Sequence, residues 1–198
     1  MEKVNLSKGN RVDLQKAVPS LKRIRVGLGW DANKFDSGSD YDLDVTAFIL
    51  THDANGDAKC ASPSYMIFYN NLSSPGKEVT HTGDNRTGSG EGDDESLVVD
   101  VQGTLAIADE VSFIITIDNA VAKKQNFGQI SKAYAKIYND EDGSIIAQYD
   151  LAEEFSGETA IQIGSLYKNA AGNMAFRAVG QGFNAGLGDF VDGYGLNR

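Results

Sequence analysis

Ala133-Tyr134-Ala135-Lys136-Ile137-Tyr138-Asn139-Asp140-Glu141-Asp142-Gly143-Ser144-Ile145-Ile146-Ala147-Gln148-Tyr149 is the stretch that decides the fold class. Two short runs of branched and aromatic residues flank a polar loop containing glycine, the pattern of a β-hairpin. The same pattern recurs outward along the chain. Ile24–Trp30, Val45–Leu50, Tyr65–Tyr69, Leu97–Val99 and Val111–Ile117 read as strands, and so do Ala160–Tyr167 and Met174–Val179. A further hairpin near the N-terminus is expected to hold Val12 and Leu14. Helical signal is thin. Leu187, Phe190, Val191 and Tyr194 fall at i, i+3, i+4 and i+7, one apolar stripe of a short C-terminal helix. Leu105–Asp109 and Ala120–Lys124 suit short helices in connections. Many strands at short spacing predict an all-β chain, a two-sheet antiparallel β-sandwich with short connecting helices and a short C-terminal helix. With no internal repeat and no linker, residues 1–198 read as a single domain.

Hydrophobic content of 41% and charged content of 23% are those of an ordinary globular protein. No apolar run is long enough for a transmembrane segment, and the first residues lack the apolar stretch of a secretory signal. The single cysteine, Cys60, excludes an internal disulfide and fits a reducing cytoplasm. A net charge of −10 argues against direct nucleic-acid binding. Nine acids concentrate that charge: Asp31, Asp40, Asp42 and Asp44, then Asp84, Glu91, Asp93, Asp94 and Glu95. Without these nine the chain would carry only −1.

The second group lies in Gly83-Asp84-Asn85-Arg86-Thr87-Gly88-Ser89-Gly90-Glu91-Gly92-Asp93-Asp94-Glu95, with five carboxylates and four glycines. Glycines let a backbone turn tightly and present its carbonyls, and carboxylates with carbonyls are the ligands of a hard cation, above all calcium. Two carboxylates about 5 Å apart repel by about 3 kcal/mol at an effective dielectric near 20. A compact loop of this composition therefore calls for positive charge among its acids. Alternation along a strand puts Asp40, Asp42 and Asp44 on one face. An antiparallel pairing of Ile24–Trp30 with Val45–Leu50 would bring Asp31 beside Asp42 and Asp44 at one rim. So many acids exceed the charge of one ion and point to two neighbouring calcium ions. Magnesium keeps its waters, and zinc finds no Cys or His pair at ligand spacing.

Other patterns carry less. Asp53-Ala54-Asn55-Gly56-Asp57 opens like an EF-hand loop, but Ala58 and Ser64 stand where its glycine and its glutamate belong, so a β-turn is expected. His52 and His81 belong to no recognisable nucleophile arrangement, which argues against an enzyme.

Gly27-Leu28-Gly29-Trp30-Asp31, Asp42-Leu43-Asp44, Phe68-Tyr69-Asn70-Asn71, the run from His81 to Glu95, Phe127-Gly128-Gln129 and Phe176 to Gly182 together resemble the TerD family of bacterial tellurium-resistance and stress proteins. The resemblance spans essentially the whole chain. It implies a β-sandwich binding two calcium ions in the bacterial cytoplasm, without established catalytic activity. It further implies carboxylate ligands from Asp31, Asp42, Asp44, Asp84, Glu91, Asp93, Asp94 and Glu95. Backbone oxygens near Leu43, Thr87 and Gly90 and the amides of Asn70 and Asn85 would complete the shells. Expected partners are other stress-resistance proteins, including a membrane protein complex that would hold the chain at the inner membrane face. Two alternatives stand beside this reading: a calcium-dependent peripheral membrane-docking module and a metal-dependent hydrolase.

Overall fold

A computed structural model describes residues 4–5, 10–32, 39–151 and 155–196. Its strands, numbered along the chain, form two sheets packed face to face. The first holds, in spatial order, β1 (Val4–Asn5), β11 (Ile145–Asp150), β10 (Tyr134–Asn139), β3 (Arg23–Gly29), β8 (Glu95–Asp100) and β7 (Val79–His81). The second holds β2 (Arg11–Asp13), β13 (Met174–Phe183), β12 (Ala160–Lys168), β9 (Glu110–Ile117), β4 (Leu43–His52) and β5 (Ala58–Cys60), with β6 (Met66–Ile67) also paired to β4. Pairing is antiparallel except at one edge, where β1 runs parallel to β11.

Alternation decides what each strand buries. Leu43, Val45, Ala47 and Ile49 of β4 face the main core, shared with Val26 and Leu28 of β3, Leu97 and Val99 of β8, and Phe113 and Ile115 of β9. Phe48 and Leu50 point to the other side of β4, into a smaller cluster with Cys60, Met66 and Ile114. The C-terminal helix Leu187–Gly193 covers that cluster. Its expected stripe, Leu187, Phe190 and Val191, together with Tyr194 just beyond it, is the face that packs. The Tyr194 hydroxyl also bonds Ser112 Oγ at 3.0 Å. Both faces of the central β4 and β9 are thus buried, which is why they read as continuous apolar runs.

Three local expectations change. Val12 lies in β2, which pairs with β13, while Leu14 begins the short helix Leu14–Ala17, so the N-terminal hairpin is replaced by an edge strand leading into a helix. The strand expected over Tyr65–Tyr69 shrinks to Met66–Ile67. Pro63 starts a 3-10 turn before it, and the Asn71 side chain folds back onto the Met66 carbonyl at 2.7 Å after it. Most consequentially, β3 and β4 are not paired: they belong to different sheets. The partner of β4 is β9, with Leu43 opposite Ile117.

The expected turn at Asp53 forms. Its Oδ1 accepts from the amides of Asn55 at 2.8 Å and Asp57 at 3.0 Å, closing the connection from β4 to β5.

Candidate metal centre

The site lies at the rim where β3 and β9 end and where β4 and β8 begin. Asp42 and Asp44 flank Leu43 and point away from the core into which Leu43 is buried. The β4–β9 register carries Asp118 alongside, and its amide donates to the Asp42 carbonyl at 2.8 Å. Asp84 arrives from the loop between β7 and β8. Oxygens of Asp42, Asp44 and Asp84 all lie within 4.8 Å of one another. They open on a cavity of about 360 Å³ completed by Tyr69, Asn70, Arg86, Asp118 and Asn119.

Asp44 is the unusual member. Its residue is only 6% exposed, yet among the described residues no hydrogen bond or ion pair reaches its carboxylate. Burial, then the charges of Glu95, Asp42, Asp118 and Asp84, push its pKa up to about 8. Asp42 is raised too, chiefly by burial, and is partly relieved by Arg86 at 3.4 Å and by Lys123. An acidic triad of this geometry can hold a metal ion.

The remaining expected residues separate. Asp93, Asp94 and Glu95 are consecutive, but the chain bends at Asp94 before β8 opens at Glu95, and the three side chains point in different directions. Asp93 turns to the outer face of the first sheet, where it binds Arg25 at 2.7 Å, the Tyr138 hydroxyl at 2.8 Å and the Tyr134 hydroxyl at 3.1 Å. Gly27 makes room for it, because a Cβ there would overlap the Asp93 carboxylate. Glu95 is buried between the sheets. One oxygen accepts from the Val45 amide at 2.9 Å and the other from the Asn85 amide at 3.3 Å. His81 takes the Gly83 N–H on Nδ1 at 3.0 Å, so its own N–H sits on Nε2, 3.4 Å from Glu95. Both carboxylates thus face donors of the protein, in contrast to Asp44.

Asp94 and Asp31 form a second, looser group on the Trp30 side. Asp94 accepts from the Trp30 amide at 2.9 Å and from the Asn85 side chain at 2.7 Å, and burial, then Asp93 and Asp31, raise its pKa. Asp31 is bridged to Lys132 at 3.2 Å. The Asn85 oxygen accepts from the amides of Thr87 and Gly88, so this side chain braces the loop. Gly88, at φ +64°, lies flat against the Trp30 indole, where any Cβ would collide. Glu91 and Gly90 are exposed on the loop.

Sequence reasoning missed Asp118, Asn119 and Tyr69. The available signal was an Asp-Asn pair directly after the apolar run of β9, which faces Asp42 once β4 and β9 are paired.

Residues 2–194 match the family model of the TerD domain. The chain belongs to the TerD family. It is 49% identical over 193 residues to General stress protein 16U of Bacillus subtilis (strain 168), covering 98% of this chain and 97% of the relative. It is likewise 49% identical over 194 residues to Tellurium resistance protein TerD of Serratia marcescens, covering 98% of each. These names describe resistance and stress responses rather than a reaction. A crystal structure of a homologue of telluride resistance protein (TerD) from Streptomyces coelicolor A3(2) shares the fold at a TM-score of 0.69, with 21% identity over 86% of this chain and 95% of that one. In this TerD chain, no helix among the described residues is long and apolar enough to cross a membrane.

Proposed function

We propose that this protein is a non-enzymatic calcium-binding member of a tellurite and stress-resistance system, working in the cytoplasm as an ion-ordered interaction module. The observation that carries this reading is Asp44, a buried carboxylate with no donor among the described residues, facing Asp42, Asp84 and Asp118. A divalent cation supplies the partner that Asp44 lacks and adds to those that Asp42 and Asp118 already have. Asp42, Asp44 and Asp84, with Asn70 and Asp118 at the cavity wall, form an oxygen donor set without His or Cys. That chemistry favours calcium over zinc, and the number of carboxylates favours it over magnesium.

A second calcium is assigned to the Asp31 and Asp94 side of Trp30, with backbone oxygens of the Thr87–Gly90 turn and Glu91 from the loop. Asp93 and Glu95 act instead as struts. With ions bound, the rim stops repelling itself and becomes a surface for other stress-resistance proteins, including a membrane-bound complex. Native mass spectrometry of the metal-stripped protein with calcium, magnesium and zinc in turn tests the reading. Calcium adducts retained at micromolar free ion and lost in Asp44→Asn support it. Equal, weak adducts of all three metals would overturn it.

One observation favours a second reading, calcium-dependent docking on a membrane. Val121 is 89% exposed on the short helix Ala120–Lys123, beside Lys123 and Lys124 and close to the acidic cavity. Co-sedimentation with anionic liposomes that needs calcium and is lost in Val121→Asp would establish it. Absence of co-sedimentation would remove it.

A further inference from the structure

The acidic cavity already contains a cation of the protein's own. Arg86 sits two residues after Asp84 in the same loop, and its Nε lies 3.4 Å from Asp42 Oδ2. Its side chain is 73% exposed, while that of Asp42 is 9% exposed. A second cation beside this cavity, Lys123, is held more firmly. It lies 3.2 Å from Asp118, whose same oxygen also takes the Asn119 amide at 2.7 Å, and its side chain is only 22% exposed. Of the two, Arg86 makes the longer contact and is freer to leave. It also has somewhere to go: besides the acidic cavity it lines a neighbouring cleft on the far side of Asp42, with Ser39, Asp40, Asp42, Thr87 and Lys123.

We propose that Arg86 is the resident counter-cation of the acidic cavity and competes with the incoming metal ion for Asp42, so that it sets how tightly the ion is held. This rests on the calcium reading above. In the ion-free protein the guanidinium offsets part of the repulsion among Asp42, Asp84 and Asp118. A divalent ion placed among the same carboxylates repels the guanidinium, which swings into the adjoining cleft. The ion therefore binds at the expense of an existing pair, and the affinity is lower than the donor set alone would give. The loop that supplies the ligand Asp84 thereby also supplies the group that opposes the ion.

The test uses the full chain as wild type, Arg86→Gln and Arg86→Lys, with two readouts, calcium affinity by titration and melting temperature in chelator. Competition predicts opposite movements in Arg86→Gln: a lower ion-free melting temperature, but calcium held about two- to fivefold tighter, the scale of an exposed ion pair removed. Arg86→Lys keeps the charge and stays near wild type in both. If Arg86 only held Asp42 in place for the ion, Arg86→Gln would melt lower and also bind calcium more weakly, and that result would overturn the proposal. Unchanged affinity would overturn it as well. Those two failures leave wild-type binding intact, whereas a wild type that binds no calcium would overturn the metal reading along with this one.

Discussion

Replacing Asp44 by Asn should stabilise the ion-free protein and remove its response to calcium. Asn keeps the shape of the side chain and deletes the charge. In the folded, ion-free protein the Asp44 pKa stands at about 8, against 3.8 for the ordinary carboxyl. A group raised on folding contributes stability that is fully present below its unfolded pKa and is lost as pH rises towards the folded value. Stability of the ion-free wild type should therefore fall between about pH 4 and pH 8 and level off above. At 1.36 kcal/mol per unit, the loss reaches about 4 kcal/mol by pH 7 as an upper bound, because loop relaxation and counter-ions reduce it. Asp44→Asn escapes this penalty. For a chain of this size a gain of about 2–4 kcal/mol raises the melting temperature by about 5–10 °C. The assay is thermal unfolding of both proteins in chelator from pH 4 to pH 9, repeated with calcium. The gap between variant and wild type should widen up to about pH 8 in chelator, and calcium should raise only the wild type. A variant that melts below wild type in chelator at pH 8, or that keeps the full calcium shift, would refute the reasoning.

Other substitutions separate struts from ligands. Asp93→Asn should cost about 1–3 kcal/mol of stability through its bonds to Arg25, Tyr134 and Tyr138, while calcium stoichiometry stays unchanged in a titration. Glu95→Gln should destabilise by a similar amount in denaturant unfolding, because its one carbonyl oxygen can serve the Val45 amide or the Asn85 amide but not both, and its NH2 group would meet the other donor. Gly88→Ala combines a left-handed backbone with a collision against Trp30, so about 1–3 kcal/mol should be lost and the Trp30 emission should shift as the loop lifts.

Strand identity was legible because alternation and turn residues are local signals. The partners of strands were not. Nothing in Ile24–Trp30 or Val45–Leu50 says that they fall in different sheets, so pairing them by chain order placed Asp31 beside Asp42, whereas it lies on the Trp30 side with Asp94. The convergence of Asp42, Asp44 and Asp84 at one rim was readable from period-two spacing and from the loop's composition. The acidic run Asp93-Asp94-Glu95 divides because the chain bends at Asp94 before β8, sending Asp93 to the outer face and Glu95 between the sheets, and composition carries no sign of that bend. Gly27 and Gly88 become intelligible only in three dimensions, as clearances for Asp93 and for the Trp30 ring. Asp118 offered only the faint signal of an Asp-Asn pair after an apolar run and acquires its place through the β4–β9 register.

The central claim, that a divalent ion sits among Asp42, Asp44 and Asp84, is tested most directly by calorimetric titration of the metal-stripped protein with calcium at pH 7 in buffers of different ionisation heat. Asp44 holds a proton in the ion-free protein at that pH and must give it up to bind the ion. Binding at micromolar or lower calcium, with close to one proton released at this site and a heat that changes with the buffer, is the predicted result. No binding, or binding whose heat is the same in every buffer, would contradict it.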